Sequence, residues 1–208
     1  DSPFYKTRNK ITSLEHAVVM LGREGVKRLV ASAVLKPLLN NRHGFFMKMS
    51  SSTLWDHAEK TSQVAYEITR DDEEIRFHAY LGGLLMNLGF TIGLKLLDKH
   101  FDSGMAPNSR HFFPRFEKAC MQISLRIAEV WKMPENIIRT FKVQVDGKTG
   151  NATVLDENLY IADLVAKTNI LSQRLGIGNH PVSFRLDDNI NTRILESYIK
   201  LQQQDESA

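Results

Sequence analysis

The sequence predicts an all-α fold, a single multi-helix bundle, and three observations support this prediction. Apolar residues recur at spacings of three and four in almost every segment, without the alternation typical of strands. Short groups rich in Gly, Pro, Asp and Asn separate these segments. The chain has 208 residues and is 42% hydrophobic, which suffices for one large domain or two small ones, and no linker marks a second domain. We expect about eight to ten helices.

The first two helices should lie between Thr12 and Pro37. Thr12 and Glu15 form a candidate capping box, and Gly22 is the expected stop of the first helix. Pro37 should kink or end the second helix. A loop is expected over residues 40–52. The second helix should face the core through one apolar stripe, which comprises Val26, Leu29, Val30, Ala33 and Val34.

Two helices within residues 55–93 organise the rest of the chain. The first should be capped by Ser52 or Thr53, and it carries His57. The acidic run at residues 71–74 suits the positive end of the second helix, which ends at Met86 and Asn87. Further helices are predicted over residues 92–101, 111–131, 134–145 and 154–175, and one more after residue 187. Between them we predict a loop at residues 102–110, a turn at residues 146–151 and a break at residues 176–181.

Charge and cysteine content restrict the classes of function. The chain has 27 basic and 24 acidic residues, a balance that does not favour a nucleic-acid partner. The longest stretch without a charged residue or histidine, residues 79–94, is shorter than the roughly 20 residues that span a membrane. We therefore interpret it as buried core and expect no membrane association. A single cysteine, Cys120, excludes an internal disulfide, so the expected location is the cytoplasm.

Several motifs, in order, resemble the HD-related output domain (HDOD), a degenerate branch of the HD phosphohydrolase superfamily. They are ITSLEHAVVMLGREGVKRLV at residues 11–30, LWDHAEKTSQVA at 54–65, GGLLMNLG at 82–89, EVWKMPENI at 129–137 and LYIADLVAK at 159–167. The resemblance implies an HD-type helical bundle over residues 1–175. It also implies that helices normally preceding the DSPFY segment at residues 1–5 are lacking. Residues 176–208 would form a C-terminal extension with one further helix packed on the same domain.

The resemblance also assigns the positions of a degenerate metal site. The first histidine corresponds to His57, and Met86 and Asn87 replace the His-Asp pair. Further positions correspond approximately to Cys120, Gln144 and Val145, and the closing aspartate corresponds to Asp163. Only His57 and Asp163 keep strong metal-binding groups, whereas a catalytic metal generally needs about three protein ligands. We therefore expect no metal, no cofactor and no catalytic residue, with His57 and Asp163 as residual candidates.

Simpler roles for these residues remain open. His57 could be a hydrogen-bonded helix histidine, Met86 and Cys120 could be core residues, and Asp163 could pair with an arginine such as Arg139. The resemblance implies a non-catalytic bacterial signalling module that acts through protein partners or fused domains, with the old cleft as a ligand pocket. The alternative is a metal-dependent phosphohydrolase acting on nucleotides or cyclic dinucleotides. A nucleic-acid-associated regulator is a third interpretation, and the oligomeric state stays open.

Overall fold

The architecture is all-α, as predicted. A computed structural model describes residues 13–40, 43–70, 72–101, 110–147, 152–175 and 188–206, and within these ranges it contains eight helices and no strand. The predicted loop, turn and break at residues 102–110, 146–151 and 176–181 fall almost entirely outside the described residues. The helices are α1 (Leu14–Leu39), α2 (Phe45–Ile68), α3 (Glu73–Leu85), α4 (Leu88–His100), α5 (Phe112–Val130), α6 (Glu135–Asp146), α7 (Val154–Leu175) and α8 (Asp188–Glu206).

Helices α2 and α7 form the centre of the bundle. Helix α2 packs against α3, α7 and α4, and α7 packs against α2, α8, α3 and α6. The apolar stripe of α7 faces inward, and its Leu159 is fully buried. Gly82 on α3 lies so close to α7 that a methyl group there would meet Leu159 Cδ1 at 2.9 Å. This close packing holds the α2, α3 and α7 elements that carry the candidate site residues.

Helix α1 contains a kink and exposes the stripe that was predicted to face inward. Its N-cap is Ser13, which accepts from His16 N–H at 3.1 Å, so the cap prediction at Thr12 was one residue early. Gly22 has φ 64° and ψ 177°, a conformation open only to glycine, and it divides α1 into two helical segments. Pro37 lies in the last turn. The inward prediction was wrong because the covering helices contact a different face: Leu29, Val30, Ala33 and Val34 are exposed and Val26 is half-buried.

The predicted loop over residues 40–52 was wrong from Phe45 onward, and the predicted cap of α2 was wrong. Helix α2 begins at Phe45, so Ser52 and Thr53 lie inside it. The first turn is capped from a distance, because the backbone N–H groups of Phe46 and Met47 donate to the two carboxylate oxygens of Asp98 at 2.7 and 3.1 Å. Asp98 lies in α4, and the local sequence of α2 therefore gave no sign of this start.

A two-residue turn at Met86 and Asn87, called the corner, separates helices α3 and α4. Asp72 caps α3 by accepting from Ile75 N–H at 2.9 Å, which confirms the acidic start. The segment Glu73–His100 is long and apolar enough by composition to cross a membrane, but 61% of its most apolar window is buried within the bundle. It also breaks at Met86 and Asn87. The buried-core interpretation of residues 79–94 agrees with this placement.

Helix α8 packs on the centre of the bundle. It contacts α7 and α2 and buries Ile194, Tyr198 and Leu201. Arg193 donates to Asn158 Oδ1, and Asn158 Nδ2 donates to Thr69 Oγ1 at 3.0 Å. The division into a domain at residues 1–175 and an extension at 176–208 stays a prediction, as do the missing N-terminal helices.

Candidate functional site

The corner between α3 and α4 is fixed to α5. Ser124 Oγ donates to the backbone carbonyl of Met86 at 2.8 Å and accepts from Gly89 N–H at 3.0 Å. A side chain at Gly89 would place Cβ 1.8 Å from the Cys120 carbonyl oxygen, so glycine is required for this approach. The hydroxyl of Ser124 thus satisfies two buried backbone groups and fixes the backbone on either side of Asn87.

His57 is held between two side chains that come from opposite sides. Its Nδ1 lies 3.0 Å from Asn87 Oδ1, and its Nε2 lies 3.1 Å from Asp163 Oδ1. Thr61 Oγ1 lies 3.5 Å from the same Nε2. The side chains of His57 and Asp163 are only 12% and 14% exposed. Protein atoms thus contact both ring nitrogens of His57.

Asp163 also contacts a cation on its own helix. Lys167 Nζ lies 2.8 Å from Asp163 Oδ2 and 3.7 Å from Glu117 Oε1. Burial opposes ionisation of Asp163, but the hydrogen bond from His57 and the charges of His57 and Lys167 outweigh it and lower the pKa of Asp163. Burial likewise opposes the charged form of Lys167, but Asp163 and Glu117 outweigh it and raise the pKa of Lys167.

The remaining predicted site positions divide into two groups. Met86, Gln144 and Val145 border the same cavity as His57, Asn87 and Asp163. Cys120 does not border that cavity, and it packs against α4, where a methyl group at Gly93 would meet Cys120 Sγ at 2.6 Å. Burial, assisted by the charge of Glu117, raises the pKa of the Cys120 thiol to about 12, which suits a core residue.

The residues at the predicted positions of the metal site are poor ligands for a divalent metal ion. Met86 offers a thioether, which does not suit a hard divalent cation, and Asn87 offers only the oxygen of a neutral amide, which faces His57. The ammonium of Lys167 provides the positive charge beside Asp163. Among the described residues, no group of three or more His, Cys, Asp or Glu side chains is arranged to hold a metal.

A large cavity lies beside these residues. Its volume is about 1020 Å³, and its walls come from α2, α4, α5, α6 and α7 and from the Met86–Asn87 corner. The walls are mainly apolar, with Leu54, Phe90, Met121 and Leu164 among them. Asn87 and Gln144 border this cavity, and each has a buried side-chain atom, Nδ2 and Oε1 respectively, without a hydrogen-bond partner among the described residues. A concave apolar site with a few polar groups is typical of small-molecule binding.

The sequence interpretation missed Lys167, Ser124 and the unpartnered polar atoms of Asn87 and Gln144. Lys167 could have been found, because it follows Asp163 by four residues on a predicted helix, a spacing that favours ion pairs. The suggested pair between Asp163 and Arg139 was wrong, since Arg139 contacts Asp156 at 3.4 Å. Ser124 acts across elements 35 to 38 residues apart, and no local pattern indicates that role.

The helical bundle, in which His57 contacts Asn87 and Asp163, fits an HD-related domain. The chain belongs to the HDOD family, since the family model of the HDOD domain matches residues 1–146, more than half of its length. The same comparisons found no matching curated protein and no matching solved structure. Asp163 and Lys167 lie beyond the matched residues, so Asp163 is placed in the site by its contact with His57, and Lys167 by its contact with Asp163.

Proposed function

We propose that this HDOD protein is a non-catalytic module of bacterial signal transduction, located in the cytoplasm, that acts through contacts with protein partners or fused domains. The degenerate cleft serves as its ligand pocket. The observation that carries this proposal is the closed chain of contacts from Asn87 through His57 and Asp163 to Lys167. These contacts engage every strong metal-binding group that the site retains.

Hydrolysis of a phosphate ester by an HD-type site would need a firmly held metal to generate hydroxide at neutral pH. Two strong ligands are fewer than the three that such a metal generally has. The nearby ammonium of Lys167 would also repel a divalent cation. The cavity, in contrast, has the size and the mainly apolar lining of a binding site. These features favour binding over catalysis.

The alternative function is a metal-dependent phosphohydrolase acting on nucleotides or cyclic dinucleotides. One observation favours it, because His57 Nε2 and Asp163 Oδ1 are 3.1 Å apart, close enough for one ion to contact both. Hydrolysis of ATP and a cyclic dinucleotide in the presence of Mn²⁺ or Mg²⁺ distinguishes the two functions. We expect no metal-dependent turnover from the purified protein, and turnover lost on His57→Ala substitution would establish the enzyme instead.

A genetic experiment tests the regulatory role. The chromosomal gene is replaced by His57→Ala or Asp163→Ala in the native bacterium, and the phenotype of a deletion strain is the reference. We expect both variants to reproduce part or all of that phenotype at normal protein levels. Lys200→Ala, at an exposed position of α8, is the control and should behave as wild type. Normal signalling in both site variants would remove the cleft from the proposed function.

A further inference from the structure

The cavity beside His57 follows one face of α7 along most of this helix. The residues of α7 that border the cavity recur at helical intervals, and they include Asp156, Tyr160, Asp163, Lys167, Leu171 and Arg174. At a rise of about 1.5 Å per residue, the face from the first to the last of these residues is about 27 Å long. Spread over that length, the volume of about 1020 Å³ gives a mean cross-section of roughly 40 Å². The cavity is therefore long and narrow.

The width and the polarity of the cavity restrict what it can hold. An α-helix with its side chains is about 10–12 Å across, which corresponds to roughly 80–110 Å² and is too wide. An extended peptide is narrower, but each of its residues carries backbone polar groups that need partners when buried. The walls are mainly apolar, and Tyr160 and Leu171 add apolar surface to them that is 45% and 57% exposed. An alkyl chain is narrow and has no polar group that needs a partner.

The carboxylates at the cavity are all neutralised by nearby cations. Each of the four that border it in the described structure lies within salt-bridge distance of a cation: Asp163 and Glu117 of Lys167, Asp156 of Arg139, and Glu157 of Arg193. The carboxylates therefore offer no unpaired negative charge to a cationic ligand.

Two further cations leave an excess of positive charge at one end of the cavity. Lys118 and Arg174 border the cavity, and no carboxylate of the described residues lies within salt-bridge distance of either. Arg174 is near the end of α7 and donates to Thr53 of α2, which also borders the cavity. Glu117 contacts Lys167, so its neighbour Lys118 lies beside the same half of α7. This end of the cavity is complementary to an anion.

We propose that the cavity binds an unbranched alkyl chain that ends in a single carboxylate. The carboxylate pairs with the guanidinium of Arg174, whose forked donors fit a carboxylate. The alkyl chain lies along α7 from Leu171 toward Tyr160, against the apolar wall that includes Met121 and Leu164. This inference rests on the proposed function, since it names the class of ligand that the regulatory pocket recognises.

Isothermal titration calorimetry with decanoate, octanoate, 1-decanol and decylammonium tests the proposal. Decanoate should bind roughly tenfold more tightly than octanoate, because two more CH₂ groups are buried. It should bind about twofold to fivefold more tightly than 1-decanol, the effect of one partly exposed ion pair. Decylammonium should bind more weakly than 1-decanol, because Arg174 repels it. Equal binding of decanoate and octanoate, binding of 1-decanol as tight as that of decanoate, or no binding at all would overturn the proposal.

Two pairs of variants place the head group and the chain separately. Arg174→Gln should abolish the preference for decanoate over 1-decanol, whereas Arg115→Gln, at an exposed position of α5 away from the cavity, should keep it. Leu171→Ser should weaken decanoate and 1-decanol alike, whereas Leu175→Ser, which is exposed and does not border the cavity, should weaken neither. Circular dichroism melting verifies that each variant is folded. A preference that persists in Arg174→Gln, or equal losses in the two leucine variants, would contradict the assignment.

Two further titrations separate this inference from the proposed function. A cyclic dinucleotide, or an extended peptide of alternating valine and threonine, should bind more weakly than decanoate. Tighter binding of either one, without hydrolysis, would overturn the ligand class and leave the regulatory pocket in place. Metal-dependent hydrolysis of the dinucleotide would overturn the proposed function itself.

Discussion

Helices α7 and α1 are both long and apolar, yet they have opposite relations to the core. Helix α7 has 22 residues and buries twelve of them, including polar Asn158 and Asn169. Helix α1 has 26 residues, and seven of the large apolar side chains whose burial the structure describes there are exposed, with Val19 77% and Val34 63% exposed. Periodicity shows which residues share a helix face, but it does not show which face a neighbour covers.

The largest effect should come from the buried stripe of α7. Leu159→Ala removes a fully buried side chain that packs against Gly82, and we expect it to lower the free energy of unfolding by about 2–5 kcal/mol. Urea denaturation measures this loss. Leu175→Ala is the same change at a 65% exposed position of α7, and it should cost less than about 1 kcal/mol. Equal losses would show that α7 is not the central helix.

The next effect concerns the polar contacts that α7 makes with α2. Asp163→Asn removes a carboxylate that contacts His57 and Lys167, and it should destabilise the protein by about 1.5–3 kcal/mol at neutral pH. Because the pKa of Asp163 is lowered in the folded state, its stabilisation is present above the unfolded pKa and is lost as the pH falls through the folded pKa.

Denaturation of wild type and Asp163→Asn across pH 7 to about pH 2 checks this dependence. The difference in unfolding free energy between the two proteins should shrink once the pH falls below about 3.9, the ordinary pKa of an aspartate in an unfolded chain. A difference that stays constant down to acid pH would mean that the contacts of Asp163 do not depend on its charge.

A smaller effect, on the affinity for Mn²⁺, should appear when metal ligands are introduced at positions 86 and 87. The double change Met86→His with Asn87→Asp supplies the missing pair, but the ammonium of Lys167 remains 2.8 Å from Asp163. Adding Lys167→Ala should therefore tighten Mn²⁺ binding by about tenfold, because it removes a repelling charge. Calorimetric titration with Mn²⁺ measures both variants. Equal affinities would show that Lys167 does not oppose a cation.

The smallest effect should come from the exposed face of α1. Val30 and Val34 are 55% and 63% exposed, so Val30→Ser and Val34→Ser should each change the unfolding free energy by no more than about 0.5 kcal/mol. The same urea experiment checks this expectation. A loss above about 2 kcal/mol would show that this face is packed in solution and that α1 resembles α7 after all.

The sequence predicted helix α7 well, because the bounds and the apolar stripe of this helix can be predicted from its own residues. Its bounds at residues 154–175 agree with the structure, and the predicted inward residues Leu155, Leu159, Ala162, Val165 and Ile170 are buried. The resemblance also named His57, Asn87 and Asp163, which lie in direct contact through His57. The family's residue order could supply that grouping without any knowledge of the packing.

Most of the features that the sequence interpretation missed or predicted wrongly share one physical cause, because they depend on residues that are distant in the chain. The exposed face of α1 depends on where α3 and α2 pack, and the approach of α4 to α5 depends on Ser124. Lys167 differs, because its spacing to Asp163 was visible and was not used. The unpartnered buried atoms of Asn87 and Gln144 result from the packing of the assembled helices, and no pattern of residue types encodes them.

The cap that Asp98 places on α2 has a consequence for the order of folding. The first amides of α2, at Phe46 and Met47, bind a carboxylate that is 51 to 52 residues away in the chain. Local helix nucleation cannot protect these amides, since their acceptor arrives only when α4 docks. Deuterium labelling during refolding should therefore show Phe46 and Met47 becoming protected together with α4, later than the middle of their own helix.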